Sequence, residues 1–221
     1  MRKLVILRPE PGASATFERA IEAGLDPVKA PLFAIEPIAW EAPDPAAFDG
    51  LLVTSANAFH EGGDALATLR ILPVYAVGPA TAEAAREAGF EVADVGQAGI
   101  RTLLSSIDPD LRLLHLAGED RIDVRPPWQT ITSIDVYRAS ALELADLDLL
   151  EGNVVLVHSP RAGAALSEIA IDKARTAVVA ISVAAAEACG AGWEAITASD
   201  RPNDPALLAL AVRLCEKAPG R

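Results

Sequence analysis

Two stretches of the sequence repeat one another at a constant offset, and this duplication restricts the fold more than any other feature. Leu51-Leu52-Val53-Thr54-Ser55-Ala56-Asn57-Ala58 aligns with Val155-Leu156-Val157-His158-Ser159-Pro160-Arg161-Ala162. At the same offset, Val74-Tyr75-Ala76-Val77-Gly78-Pro79-Ala80-Thr81-Ala82-Glu83-Ala84 aligns with Val178-Val179-Ala180-Ile181-Ser182-Val183-Ala184-Ala185-Ala186-Glu187-Ala188. Gly89-Phe90-Glu91 then meets Gly192-Trp193-Glu194 one residue short of that offset. In each copy a short apolar run ends at small or polar residues and opens an Ala-rich segment, the pattern of a strand leading into a helix over a parallel sheet. Generic apolar patterning would explain the runs but not the matching Ser, Glu and Gly-aromatic positions. Two similar α/β domains are expected, and the interface between such domains is a preferred place for a ligand cleft.

The rest of the chain extends the alternation. Strands are expected over 3–7, 50–53, 74–77, 111–116, 153–157, 177–181 and 195–197, and helices over 13–23, 56–69, 79–88, 99–105, 161–169, 183–189 and 204–215. Ser14, Ser55 and Asp204 stand where helix N-caps belong. Two long extended stretches, 30–38 and 130–138, carry no helix. If the first leads out of one domain and the second returns, residues 1–33 and 140–221 form a discontinuous domain and 38–132 the other, with hinge strands at about 30–38 and 130–139. The predicted fold class is α/β: two similar parallel-sheet, flavodoxin-like domains joined by a two-stranded antiparallel linker.

Charge and cysteine content narrow the function. With 19 Lys and Arg against 31 Asp and Glu, the net charge is −12. General affinity for nucleic acid rests on dense basic contacts to phosphate, so no nucleic-acid partner is expected. No apolar run approaches the roughly 18 residues of a membrane span, and the N-terminal run at 4–7 is too short for a signal peptide, so no membrane partner and a cytoplasmic location are expected. Cys189 and Cys215 have no CxxC spacing and no His at ligand spacing, which reads as two buried thiols.

Ligands of parallel α/β sheets bind beyond the carboxyl ends of the strands. The residues there are Arg8 after the first strand, Thr54, Ser55 and Asn57 after the second, and Gly78 and Thr81 after the third. In the other half they are Gly118 to Arg121, then Ser159 and Arg161, then Ser182. Small hydroxyls, open N–H groups and guanidinium forks suit carboxylates and other anions. Ser55 and Ser159 also fit as helix caps, and Arg8 and Arg121 as ion-pair residues. No GxSxG, P-loop, HExxH or spaced GxGxxG occurs. His60, His115 and His158 are isolated in sequence, so neither a metal nor a cofactor is expected. Tyr137, one of two tyrosines, ends the second extended stretch, where packing and catalysis are both open readings.

Taken in order, Leu7-Arg8-Pro9, Val53-Thr54-Ser55-Ala56-Asn57-Ala58, Val77-Gly78-Pro79-Ala80-Thr81-Ala82, Gly118-Glu119-Asp120-Arg121, Val136-Tyr137, His158-Ser159-Pro160-Arg161 and Arg201-Pro202 resemble the motifs of uroporphyrinogen-III synthases across nearly the whole chain. The resemblance implies two α/β domains, with cyclisation of hydroxymethylbilane and inversion of its last pyrrole ring, without metal or organic cofactor. It also implies that Tyr137 assists departure of the hydroxyl. Arg8, Thr54, Ser55, Asn57, Gly78, Thr81, Arg121, Ser159, Arg161 and Ser182 would then hold substrate carboxylates. A monomer is expected, and a transient contact with the upstream enzyme is left open. The chain departs from the family pattern at Ser182-Val183-Ala184-Ala185-Ala186, where many members carry a Gly-Pro-Thr-Thr-Ala type turn. The alternative is a two-domain α/β protein that binds a small anion or tetrapyrrole without turnover.

Overall fold

Runs such as Gly50–Val53, Val154–Val157 and Ala177–Ala180 are apolar throughout and too short for helices, so they are stable only as strands covered on both faces. The computed structural model, which describes residues 1–96, 99–121, 129–144 and 146–216, makes each a strand buried at every position. In chain order the elements begin with β1 (Leu4–Ile6), α1 (Gly12–Glu22), β2 (Pro27–Lys29), β3 (Phe33–Pro37), β4 (Gly50–Val53), α2 (Asn57–Glu61), β5 (Val74–Val77), α3 (Pro79–Glu87) and β6 (Val92–Gly96). They continue with α4 (Ile100–Ser106), β7 (Arg112–Gly118), β8 (Thr130–Ala141), β9 (Val154–Val157), α5 (Pro160–Glu168), β10 (Ala177–Ala180), α6 (Val183–Ala188), β11 (Ala195–Ala198) and α7 (Asp204–Cys215).

The chain divides into two units, Met1–Ala34 with Ala141–Arg221, and Ile35–Ser140. The first is built on a five-stranded sheet in the order β11-β10-β9-β1-β2, parallel throughout. Counted along the chain, this is the flavodoxin-like order, with the direction of winding reversing between β1 and β9. Leu4, Ile6, Val154, Leu156, Ala177 and Val179 pack on α1 and α7 through Ala13, Ala20, Leu207, Leu208 and Ala211. Strand alternation sends Val5, Val155 and Val178 to the other face, where α5 and α6 contact β9 and β10. Those two helices approach so closely that a Cβ on Gly163 would lie 2.6 Å from the Ala185 carbonyl oxygen.

The second sheet runs β3-β8-β7-β4-β5-β6 and is parallel from β8 to β6. Leu51, Val53, Val74, Ala76, Leu114 and Leu116 face α2 and α3, while Leu52 and Leu113 meet Leu103 and Leu104 of α4 on the opposite face. If β7 and β8 are taken first, β7, β8, β4, β5 and β6 hold the places that β1, β2, β9, β10 and β11 hold in the other sheet. The duplicated segments thus occupy equivalent strands, and the two sheets are circular permutations of one order. β3 lies beside β8, with Ile38 N–H donating to Val136 O and Leu142 N–H to Leu32 O. Residue numbers rise on one strand as they fall on the other, the antiparallel sense expected for the linking pair.

Several local features differ from the sequence reading. Ser14 lies inside α1, which begins after Pro11, and Ser55 stands one residue before the cap position Ala56 of α2, so neither is the helix cap expected. β2 and β6 lie outside the predicted strands, because β2 has three residues and opens on Pro27, and β6 carries Asp94; both are edge strands, where such residues are tolerated. The single helix expected over 56–69 is α2 followed by a 3-10 turn, Asp64–Leu69, because Gly62-Gly63 interrupts it and Gly63 has φ +61°. Helix α7 is capped by Asn203, whose side chain accepts from Ala206 N–H at 3.0 Å, so Asp204 is its first residue and is free for another use. Cys189 and Cys215 are buried free thiols, and burial pushes both up to about 11. No helix among the described residues is long and apolar enough to cross a membrane.

The two copies begin their third-strand helices differently. Gly78 precedes α3 at φ +95° and ψ 153°, a conformation only glycine adopts readily, whereas Ser182 precedes α6 in extended backbone and caps Ala185 N–H. Gly78→Ser should therefore cost about 1–3 kcal/mol in urea unfolding, and Ser182→Gly only about 0.3 kcal/mol.

Candidate active site at the strand ends

In the first unit the strand order reverses between β1 and β9, and the chain leaves their carboxyl ends through Arg8 and His158. Helices α1 and α7 bring a third and fourth contribution to the same place. Asp204 Oδ2 accepts from the Thr16 hydroxyl at 2.7 Å and from Arg19 Nη1 at 2.8 Å. Its Oδ1 lies 3.3 Å from His158 Nε2 and 3.4 Å from Arg8 Nη1, and Arg8 Nη1 also donates to Thr16 Oγ1 at 3.2 Å. Gly12 makes room for the guanidinium, since a Cβ there would lie 2.4 Å from Arg8 Nε.

Burial alone would raise the Asp204 carboxyl. Hydrogen bonds from His158 and Thr16, with the charge of Arg8, outweigh it and hold the group well below the usual carboxylate range. Burial lowers His158 against the opposing pull of Asp204, and its Nε2 faces the carboxylate at 3.3 Å. Two guanidiniums against one carboxylate leave a surplus of positive charge at this strand end. In a chain of net charge −12, that is a local attraction for an anionic group.

The predicted residues nearby have defined roles. Ser159 accepts from Ala162 N–H at 3.1 Å and Ser182 from Ala185 N–H at 3.3 Å, so both cap helices and keep a hydroxyl proton to donate outward. Arg161 holds its guanidinium 4.5 Å from the centre of the Phe33 ring.

In the second unit the corresponding strands are β7 and β4. Thr54 Oγ1 lies 3.3 Å from His115 Nε2, and His115 Nδ1 lies 3.3 Å from Ser133 Oγ. Burial, with the charge of Arg121 adding to it, pushes His115 down to about 4. Ser55 accepts from Asn57 N–H at 3.3 Å, at the start of α2. Thr81 is buried and donates to Val77 O at 3.1 Å, tying the turn at Gly78. Arg121 pairs with Asp135, and its backbone N–H donates to Gly118 O at 3.2 Å. Tyr137 is half-buried, with its ring against Gly118 and the apolar cluster beneath it.

Arg8, Ser159, Arg161 and Ser182 thus belong to the strand ends of the first unit. Thr54, Ser55, Asn57, Gly78, Thr81 and Arg121 belong to those of the second, while Tyr137 lies inside β8, which runs on to Ala141, and stands beside Gly118 at the end of β7. Thr16, Arg19 and Ser133 were absent from the sequence reading, where Asp204 stood only as a helix cap and His115 only as an isolated histidine. His158 looked isolated there because its partner Asp204 lies 46 residues away. Among the described residues, no group of three or more His, Cys, Asp or Glu is placed to hold a metal ion.

The profile of one protein family, HEM4, uroporphyrinogen-III synthase HemD, matches residues 14–209. Among solved structures, uroporphyrinogen-III synthetase from Helicobacter pylori superposes with a TM-score of 0.66 at 19% identity, over 97% of this chain and 100% of that one. A mutant uroporphyrinogen III synthase from the extremely thermophilic bacterium Thermus thermophilus gives 0.52 at 18% identity, over the same shares. At these identities the structures speak for the fold. No curated protein matches the sequence significantly.

The buried histidines predict an acid-labile fold. His115 titrates at about 4 in the folded chain and at its ordinary 6.5 when unfolded. Protonation therefore favours the unfolded state as pH falls from 6.5 toward 4, a loss of about 3 kcal/mol from His115. His158 adds a loss of the same sign, and Asp204 a further one below the ordinary carboxylate range. Urea midpoints measured from pH 7 to 4 should fall accordingly, and His115→Gln should flatten that slope.

Proposed function

The chain belongs to the uroporphyrinogen-III synthase family, and from that we propose that it closes hydroxymethylbilane with inversion of the terminal pyrrole ring, yielding uroporphyrinogen III for tetrapyrrole biosynthesis. One observation carries the reading: the family match runs from residue 14 to residue 209, through both units and every strand-end loop but the first that bears a candidate residue. The reaction eliminates water, so we class the enzyme as a cyclising lyase. The reading includes a cytoplasmic monomer that needs no added cofactor.

The substrate carries eight carboxylates, which suits the chemistry of these loops. Arg8 and Arg161 in the first unit and Arg121 in the second supply guanidiniums, the Asp204 carboxylate tempering Arg8 and Asp135 tempering Arg121. Ser159 and Ser182 offer hydroxyl protons while their oxygens cap helices. Thr54, Ser55 and Asn57 offer small polar groups at the end of β4, and Thr81 ties the turn that presents Gly78.

Tyr137 is the proposed proton donor. Its phenol gives a proton or hydrogen bond to the departing hydroxyl, the pyrrole nitrogen lone pair expels water, and a cationic azafulvene is left. The substituted carbon of the terminal ring attacks that centre to give a spiro intermediate. Fragmentation and re-closure reverse the ring, and loss of a proton restores aromaticity. Closure without inversion is the easier uncatalysed course, so the enzyme acts chiefly by holding the bilane with the substituted carbon in place for attack.

Incubation with freshly prepared hydroxymethylbilane and separation of type I from type III product tests this. The wild-type protein should give type III, and absence of that isomer would overturn the reading. Tyr137→Phe should lower its rate about 100-fold; a wild-type rate would remove Tyr137 from the mechanism.

A further inference from the structure

We infer that Gly118 is a positioning residue for the phenol of Tyr137, acting through a bulge between β7 and β8; the inference rests on the catalytic role proposed for Tyr137. The two strands pair in regular parallel register from Arg112 with Thr130 to Ala117 with Asp135. Gly118 then pairs with Tyr137, and Val136 is passed over. Neighbouring residues of a regular strand point to opposite faces, yet Val136 and Tyr137 both pack on the apolar cluster that includes Leu114 and Leu116. The extra residue of the bulge accounts for this: it re-aims Tyr137 at the point where β7 ends.

Two backbone hydrogen bonds fasten that end. Glu119 N–H donates to Tyr137 O at 2.9 Å, and Arg121 N–H donates to Gly118 O at 3.2 Å. The ring then lies directly over Gly118. A Cβ at Gly118 would lie 2.7 Å from Tyr137 Cε2 and 2.8 Å from Cζ, closer than such atoms approach, and a tight 3.0 Å from Oη. The backbone of Gly118 is not in the left-handed region, so it would accept an L side chain without strain. The obstruction that favours glycine is therefore the phenol, whose atoms are the three nearest to that Cβ. Because the ring is the far end of its side chain, a methyl group at Gly118 displaces the phenol and leaves the strands in place.

Gly118→Ala tests the inference by two independent readouts. The sequence has two tyrosines, so ring-labelled tyrosine gives separate NMR signals for Tyr75 and Tyr137. The signals of Tyr137 should shift while those of Tyr75 stay. With hydroxymethylbilane, kcat for type III product should fall about 10-fold or more with KM little changed. In a Tyr137→Phe background the same substitution should have no further effect on kcat. Unmoved Tyr137 signals, or a moved ring with wild-type kcat, would overturn the inference. A wild-type rate for Tyr137→Phe alone would instead refute the role of Tyr137, and the ring signals would still decide whether Gly118 seats it. Should Gly118→Ala fail to fold, Gly118→Ala combined with Tyr137→Ala should restore folding. Failure of that pair would place the obstruction elsewhere and overturn the inference.

Discussion

Parallel pairing is the constraint on which everything else in this protein depends. A parallel strand cannot reach its neighbour through a tight turn, so the chain must leave each carboxyl end, cross a face of the sheet and return. The central strands are thereby buried on both faces, and β4, β9 and β10 are apolar at each position. Polar residues collect instead where strands stop, His115 in the middle of β7 being an exception partnered by Thr54 and Ser133. Arg8, Thr54, Gly118, His158 and Ser182 all stand within a residue or two of a strand's last position because the interiors have no room for them.

The same constraint explains why the strand–helix framework was legible in the sequence. Short apolar runs bounded by Gly, Ser and Pro marked the buried strands, and the internal repeat marked which strands are equivalent. β2 and β6 were not legible, because edge strands are half-covered and need no continuous apolar run. A continuous helix over 56–69 is what the alanine content suggests, but the interruption at Gly62-Gly63 prevails over it. Asp204 resembles a cap because it opens a helix. Asn203 performs that task, and the carboxylate turns to His158, Thr16 and two arginines.

Candidate site residues were legible only where chemistry sits beside a strand end. Groups that come together from distant segments leave no pattern: Asp204 and Thr16 are 188 residues apart, and His115 meets Thr54 across 61 residues. Neither pairing has a spacing rule that could have announced it. Gly118 was visible as part of a Gly-Glu-Asp-Arg stretch, but its meaning depends on a one-residue slip between β7 and β8 that only the paired strands reveal. Burial also changes what a residue is for. Thr81 is a hydroxyl at a helix start in the sequence and a tie to Val77 O in the folded chain.

The antiparallel pairing of β3 with β8 has a consequence for assembly of the first unit. That unit is interrupted between Ala34 and Ala141, and its strands β2 and β9 must be joined across everything in between. Left as a flexible loop, such an interruption would impose a closure entropy that rises with the logarithm of its length. Leu32 and Leu142 are hydrogen-bonded to one another, so once β3 and β8 have paired, the first unit is closed over a few residues on either side. Its closure entropy is then governed by that short ladder, and residues between β3 and β8 can lengthen or shorten at little further entropic cost to the β1–β9 sheet.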